Sequence, residues 1–94
     1  MLSIKYNLVS MNFFVYILIS QSNSQFYIGQ TQDLSARIIL YNANKVPSTK
    51  NRGPWSIYFS IRVESRSQAI MLEKKLKNIK SRKRIITWVQ LNNS

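Results

Sequence analysis

The chain of 94 residues contains no cysteine and no histidine. A disulfide framework and thiolate or imidazole metal sites are therefore excluded, and so is any scheme that needs a histidine general base. Carboxylates are nearly absent too: Asp33, Glu64 and Glu73 are the only three acidic residues. A mechanism built on clustered carboxylates is hard to assemble from that set. An enzyme of this composition must take its base from tyrosine, lysine or water, and would hold a metal through one carboxylate. No apolar run approaches the roughly 20 residues of a membrane-spanning helix; the longest, residues 13–19, is the size of a strand. Residues 1–10 hold one lysine and a weak apolar run, a poor match to a secretory signal. The lack of cysteine fits a cytoplasmic location, with no membrane partner and no obligate protein partner expected.

What the chain does have is positive charge. Fourteen Lys and Arg against three acids give +11 and a pI near 10.5. Such a balance favours a polyanionic partner, above all nucleic acid, over an anionic membrane surface or a merely solubilising shell. Hydrophobic residues make up 45% of the chain, enough to build a core. The expected organisation is a single small domain over residues 12–94, preceded by an extension, residues 1–11, that is either mobile or an added edge strand.

Two strand-like runs, residues 13–19 and 26–29, are rich in aromatic and β-branched side chains and flank a polar segment suited to a turn. Alternation along a hairpin puts Phe14, Tyr16 and Leu18 on one face and Val15, Ile17 and Ile19 on the other, with Tyr27 and Gly29 sharing a face on the second strand. Tyr16 and Tyr27 are expected near each other. Helical spacing follows over residues 34–44, capped by Thr31 or Asp33. A basic loop, residues 45–54, holds both prolines. Residues 55–63 read as a third strand, with Trp55, Ile57, Phe59, Ile61 and Val63 expected on one face. Ser65-Arg-Ser-Gln68 has the form of a capping box and starts a helix to about residue 80. Ser81 caps a last helix to about residue 91. The fold class is α+β: a small three-stranded, mainly antiparallel sheet flanked by helices, in the order β-β-α-β-α-α.

Glu73 lies three residues after Ile70 and three before Leu76, on or beside the apolar face of its helix. One reading is an ordinary ion pair with Lys77, four residues on; the other is a ligand for Mg²⁺, which takes one or two carboxylates and keeps several waters. Arg37 shares a stripe with Leu34 and Tyr41, either as an arginine at the edge of the packed face or as a phosphate clamp. Tyr16, Tyr27 and Tyr41 are either core aromatics or phenols that orient a water. Lys74, Lys75, Lys77, Lys80, Arg82, Lys83 and Arg84 form a dense basic run, a solvated face or a phosphate track that Lys45, Lys50 and Arg52 would extend.

Taken in order, these residues resemble the GIY-YIG endonuclease family. Val15-Tyr16-Ile17 stands at the GIY triplet and Tyr27-Ile28-Gly29 at the YIG triplet. Thr31…Leu34…Arg37, Tyr41-Asn42, Thr49…Pro54-Trp55 and Ala69…Glu73…Lys77 follow. The resemblance spans about residues 13–84. It is nearest to short, stand-alone bacterial members and is similar to the nuclease module of excision-repair incision proteins. It implies metal-dependent hydrolysis of DNA phosphodiester bonds, structure-selective and serving repair or recombination. By position, Glu73 would hold one Mg²⁺ or Mn²⁺ and Arg37 would contact the scissile phosphate. Tyr27 would position or deprotonate the attacking water, helped by Tyr16 and Tyr41, and Gly29 would keep the site open to phosphate. Lys45, Lys50, Arg52, Lys74, Lys77, Lys80, Arg82, Lys83 and Arg84 would bind the nucleic acid. The chain departs from the family at Val15, in place of a glycine; at Gln30, where repair members carry a lysine; and at Tyr41, in place of a frequent histidine. The competing function is a nucleic-acid-binding module, for DNA or RNA, with weak or no catalysis. The claim that separates them is geometric: Tyr16, Tyr27, Arg37, Tyr41 and Glu73 should converge on one concave, basic surface.

Overall fold

The computed structural model describes residues 12–93; the expected N-terminal extension lies outside them. Strands β1 (Phe13–Ser20) and β2 (Phe26–Thr31) are followed by helix α1 (Leu34–Asn42), a short 3-10 turn (Pro47–Thr49), strand β3 (Trp55–Val63), and helices α2 (Arg66–Ile79) and α3 (Arg82–Asn92). The sheet runs β2-β1-β3, antiparallel at both junctions. This is the expected α+β class and element order. No helix among the described residues is long and apolar enough to cross a membrane.

β1 is the central strand, and this explains its unbroken apolar run. Val15, Tyr16, Ile17 and Leu18 are all buried, because both faces of the strand are covered. On one face Val15 and Ile17 join Phe59 and the inward residues of α2 and α3, namely Ala69, Leu76, Ile85 and Val89. On the other, Tyr16 and Leu18 pack with Trp55 and with Tyr41 of α1.

The expected alternation along β3 holds only in part. Ile17 pairs with Phe59 but Leu18 pairs with Ile57, leaving Tyr58 as the extra residue of a bulge. An added residue reverses the side-chain sense beyond it. Trp55 therefore lies on the Tyr16 side while Phe59 and Ile61 lie with Val15 and Ile17. The five residues expected to share a face are split between two.

Each helix begins where its capping residue lies in extended backbone. Asp33 accepts from Ala36 N, Ser65 from Gln68 N and Ser81 from Arg84 N. Gln68 returns the bond one residue early, accepting from Glu64 N rather than from Ser65 N. α2 stops because Lys80 adopts the left-handed conformation, φ 54°, and α3 starts afresh from the Ser81 cap. At the hairpin turn Ser20 Oγ accepts from Ser22 N and Asn23 N and donates to Arg52 O, tying the turn to the loop before β3.

Candidate active site

The hairpin register places Tyr16 directly opposite Gly29. The reason for glycine there is steric. A Cβ at position 29 would come within 2.7 Å of the Tyr16 ring carbon Cζ, and closer still to the hydroxyl. The Tyr16 ring thus lies across the backbone of β2 in space that any other residue would fill. Keeping the site open to phosphate, the role expected from sequence, is not what the packing requires; the vacancy is taken by the phenol. Across this face runs α1. Its Tyr41 is 2% exposed, and its hydroxyl lies 2.7 Å from that of Tyr16, the two rings edge to face at 6.1 Å.

Arg37 sits one turn before Tyr41 and its guanidinium stands 5.6 Å from the Tyr41 ring centre. Its pKa is raised above the ordinary arginine value, first by hydrogen bonding with Tyr16 and then, against the cost of burial, by Tyr41. Arg37 Nε is buried without a partner. Tyr41 is pushed far above the ordinary tyrosine range, mainly by burial and next by its bond to Tyr16. It is therefore a neutral phenol that holds geometry and cannot serve as a base near neutral pH. Tyr27 lies two residues before Gly29 on the same face, its ring 5.4 Å from that of Tyr41 and 6.2 Å from Trp55. Tyr41 makes ring contacts with both Tyr16 and Tyr27, which stand diagonally across the two strands on one face. The Tyr27 hydroxyl lies near the surface, 3.1 Å from Ser48 Oγ. Asn42, the residue after Tyr41, accepts from Trp55 N at 2.6 Å and donates to Trp55 O at 3.0 Å, fastening α1 to the start of β3.

Glu73 comes from α2, which packs on the opposite face of the sheet. Its carboxylate reaches the edge strand: Gln30 Nε2 donates to Oε1 at 2.8 Å, and Lys77 Nζ pairs with Oε2 at 2.7 Å. The ion pair weighed from helical spacing is thus formed. It raises the pKa of Lys77, with the Glu73 hydrogen bond the largest cause and the Tyr27 and Tyr16 phenols adding smaller contributions. Gly29 and Gln30, neighbours on β2, connect the two groups: Gly29 faces Tyr16, and Gln30 holds Glu73. Among the described residues Tyr16, Tyr27, Arg37 and Tyr41 form a chain of direct contacts, while Glu73 is held by Gln30 and Lys77 and shares no hydrogen bond or ion pair with the four. Beside Glu73 is a cleft of about 310 Å³ lined by Ile70, Lys74, Lys77 and Asn78.

No group of three or more potential metal ligands exists among the described residues. A lone carboxylate, oriented by a neutral amide, suits an ion that keeps most of its coordination water. Glu73 fits that role, sharing Oε2 with Lys77.

The fold divides the basic run that sequence reads as one track. Lys74 and Lys77 line the Glu73 cleft, whereas Lys75, Lys83 and Arg84 line a larger groove of about 580 Å³ between α2 and α3, with Ile79, Trp88 and Leu91. Lys80 marks the break between the helices. Arg82 donates to Ser24 O and lies 4.1 Å over the Phe26 ring, clasping α3 to the hairpin. Lys45, Lys50 and Arg52 are exposed on the α1–β3 loop, which reaches the site through Ser48. Gln30 and Ser48 are the site residues that sequence reasoning missed. Gln30 stood out only as a departure from a family pattern, and a loop serine carries no signal.

Comparison with known proteins gives three findings. The family model of the GIY-YIG catalytic domain matches residues 12–85. The solution NMR structure of the UPF0213 protein BH0048 from Bacillus halodurans is similar, with a TM-score of 0.55 and 30% sequence identity, over 86% of this chain and 85% of that one. Comparison with curated proteins gives no match.

Proposed function

Because the chain belongs to the GIY-YIG family of nuclease domains, we propose that it is an endonuclease hydrolysing DNA phosphodiester bonds with one Mg²⁺ or Mn²⁺ ion, acting in the cytoplasm on branched or otherwise irregular DNA in repair or recombination. The observation that carries this reading is the buried Tyr16–Tyr41 hydrogen bond beside the unpartnered Nε of Arg37. A domain this small has no structural need to bury two phenols and the Nε of an arginine on one sheet face when phenylalanine and leucine would pack as well.

Roles follow from position. Arg37, oriented by Tyr16 and Tyr41, binds the scissile phosphate and stabilises the charge that develops on it. Tyr27, with its hydroxyl near the surface and steadied by Ser48, orients the attacking water and takes its proton directly or through solvent. Tyr41, held neutral by burial, fixes Arg37 and the Tyr27 ring. Glu73, aimed by Gln30, holds the ion, which when bound supplies Lewis-acid neutralisation of phosphate charge. Lys45, Lys50 and Arg52 on the loop and Lys74, Lys77, Lys80, Arg82, Lys83 and Arg84 on the helices contribute to backbone binding. So small a surface leaves little room for reading a long sequence, which favours substrates chosen by shape.

A second reading, a binding module without catalysis, draws on one observation: both Glu73 oxygens already hold protein donors. A cleavage panel separates the two. Single-stranded, nicked, flapped and branched DNA and matching RNA are incubated with wild type and Glu73→Ala, in Mg²⁺, Mn²⁺ or EDTA. Metal-dependent cutting lost in the variant is expected. Tight binding with no cutting in any divalent metal favours the binding module, and cutting confined to RNA replaces the substrate. Binding should weaken with salt, at a log–log slope of about −0.9 per phosphate neutralised on duplex DNA.

A further inference from the structure

Glu73 is held by two donors of different kind. Gln30 is a neutral amide that fixes Oε1 and leaves the carboxylate its charge. Lys77 is a cation that neutralises Oε2. An ion arriving at Oε2 meets a seat already filled by a like charge. The two donors also differ in freedom. Gln30 is part of β2, whereas the Lys77 side chain is 54% exposed on a flexible stem, and exposed pairs four residues apart on a helix are weak. Lys77 shares its cleft with Glu73, Lys74 and Asn78, so a second cation already stands beside the seat.

We propose that Lys77 is the resident cation of the Glu73 seat and that a nucleic-acid phosphate draws it away, so that phosphate binding and divalent-metal binding are coupled through this one lysine. The inference rests on the reading of Glu73 as the metal ligand. In the free protein Lys77 occupies Oε2 and metal binding is poor. A phosphodiester lying between Arg37 and the Glu73 cleft offers Lys77 a second anion; the ammonium turns to it, and Oε2 opens to the ion. Gln30 keeps the carboxylate aimed throughout, as a positioning residue. Lys77 thus carries its charge to the substrate at the step that vacates the metal seat. Linkage requires the converse: the metal must tighten phosphate binding by the same factor.

The test is equilibrium Mn²⁺ binding, followed by loss of the free-Mn²⁺ electron paramagnetic resonance signal, so it does not depend on turnover. Wild type, Lys77→Ala, Lys77→Met and Glu73→Ala are titrated alone and with a short nicked DNA duplex. Uptake by Glu73→Ala with the same duplex corrects for Mn²⁺ held by DNA. Lys77→Met keeps the aliphatic stem and a good helix former, which guards against misfolding. Alone, both Lys77 variants should bind Mn²⁺ about tenfold more tightly than wild type, within the usual range for coupled sites. The duplex should raise the affinity of wild type by a similar factor and leave the Lys77 variants nearly unchanged. Equal affinity of free wild type and free Lys77 variants overturns the proposal, as does equal stimulation of all of them by DNA. If Glu73→Ala binds Mn²⁺ as well as wild type does, the metal role of Glu73 fails with it. Glu73-dependent cleavage alongside Lys77-independent Mn²⁺ binding sinks the coupling alone.

Discussion

On one side of β1, Val15 and Ile17 pack against Phe59, Ala69, Leu76, Ile85 and Val89, none with a polar side-chain atom. On the other, Tyr16 and Tyr41 are buried as deeply but carry hydroxyls that must find each other. The aliphatic side is closed by helices of 14 and 11 residues, the tyrosine side by one helix of nine. Burying apolar surface stabilises with few conditions attached; burying phenols stabilises only while every partner is in place. One strand therefore has an apolar face and a face of paired polar groups, and Glu73 meets the edge strand β2 at Gln30, next to the glycine that receives Tyr16.

Substitutions can break or sharpen this contrast. The largest loss of stability is expected on the aliphatic side: Leu76→Ala, at a fully buried site, should cost about 2–5 kcal/mol in urea unfolding, with cleavage per folded molecule unchanged. A large change in specific activity would mean that the two faces are not separable. On the tyrosine side, Gly29→Ala forces the Tyr16 ring aside and should cost about 1–3 kcal/mol through overpacking, with cleavage falling alongside. Tyr16→Phe strands the buried Tyr41 hydroxyl, costing about 1–3 kcal/mol. Adding Tyr41→Phe should restore most of the stability, because both partners are then apolar, while cleavage stays low; recovery of both together would show the phenols to be structural. Arg82→Ala removes the clasp over Phe26 and should cost about 0.5–1 kcal/mol by the same unfolding assay. Smallest is the contribution of the Glu73–Lys77 pair, whose lysine is half exposed: a few tenths of a kcal/mol at low salt. Because pairing raises the Lys77 pKa, this contribution is complete below the ordinary lysine value and disappears as pH climbs through the raised one. The stability difference between wild type and Lys77→Met should accordingly stay constant from neutrality up to the ordinary lysine value of 10.5 and shrink only above it.

Local signals were legible in the sequence. Strand composition, the turn at residues 20–25 and the capping residues Asp33, Ser65 and Ser81 each depend on neighbours a few positions away, and the elements form where those signals put them. Features set by pairing between distant segments were not legible. The bulge at Tyr58 arises from how β3 meets β1, and nothing within residues 55–63 announces it. Gln30 meets Glu73 across 43 positions, and Ser48 meets Tyr27 across 21. The basic run looked continuous because charge was read along the chain, whereas the turn of α2 puts Lys74 and Lys77 on the Glu73 cleft and Lys75 on the groove it shares with Lys83 and Arg84. Helical spacing did place Arg37 and Tyr41 on a common stripe, and it proposed both fates of Glu73 without choosing between them.

The notch at Gly29 has a consequence for inheritance. The two sequence triplets that mark this family are one contact seen from two strands, a ring on β1 and the bare backbone that receives it on β2. Residues 20–25 between them can lengthen, shorten or drift in composition without disturbing that contact, provided the strands re-enter the same register. A slip of one residue would turn Tyr27 and the notch to the aliphatic face together and leave the ring nowhere to lie. Among relatives, positions 16 and 29 are therefore expected to change as a pair, while the turn that joins them records ancestry more than chemistry.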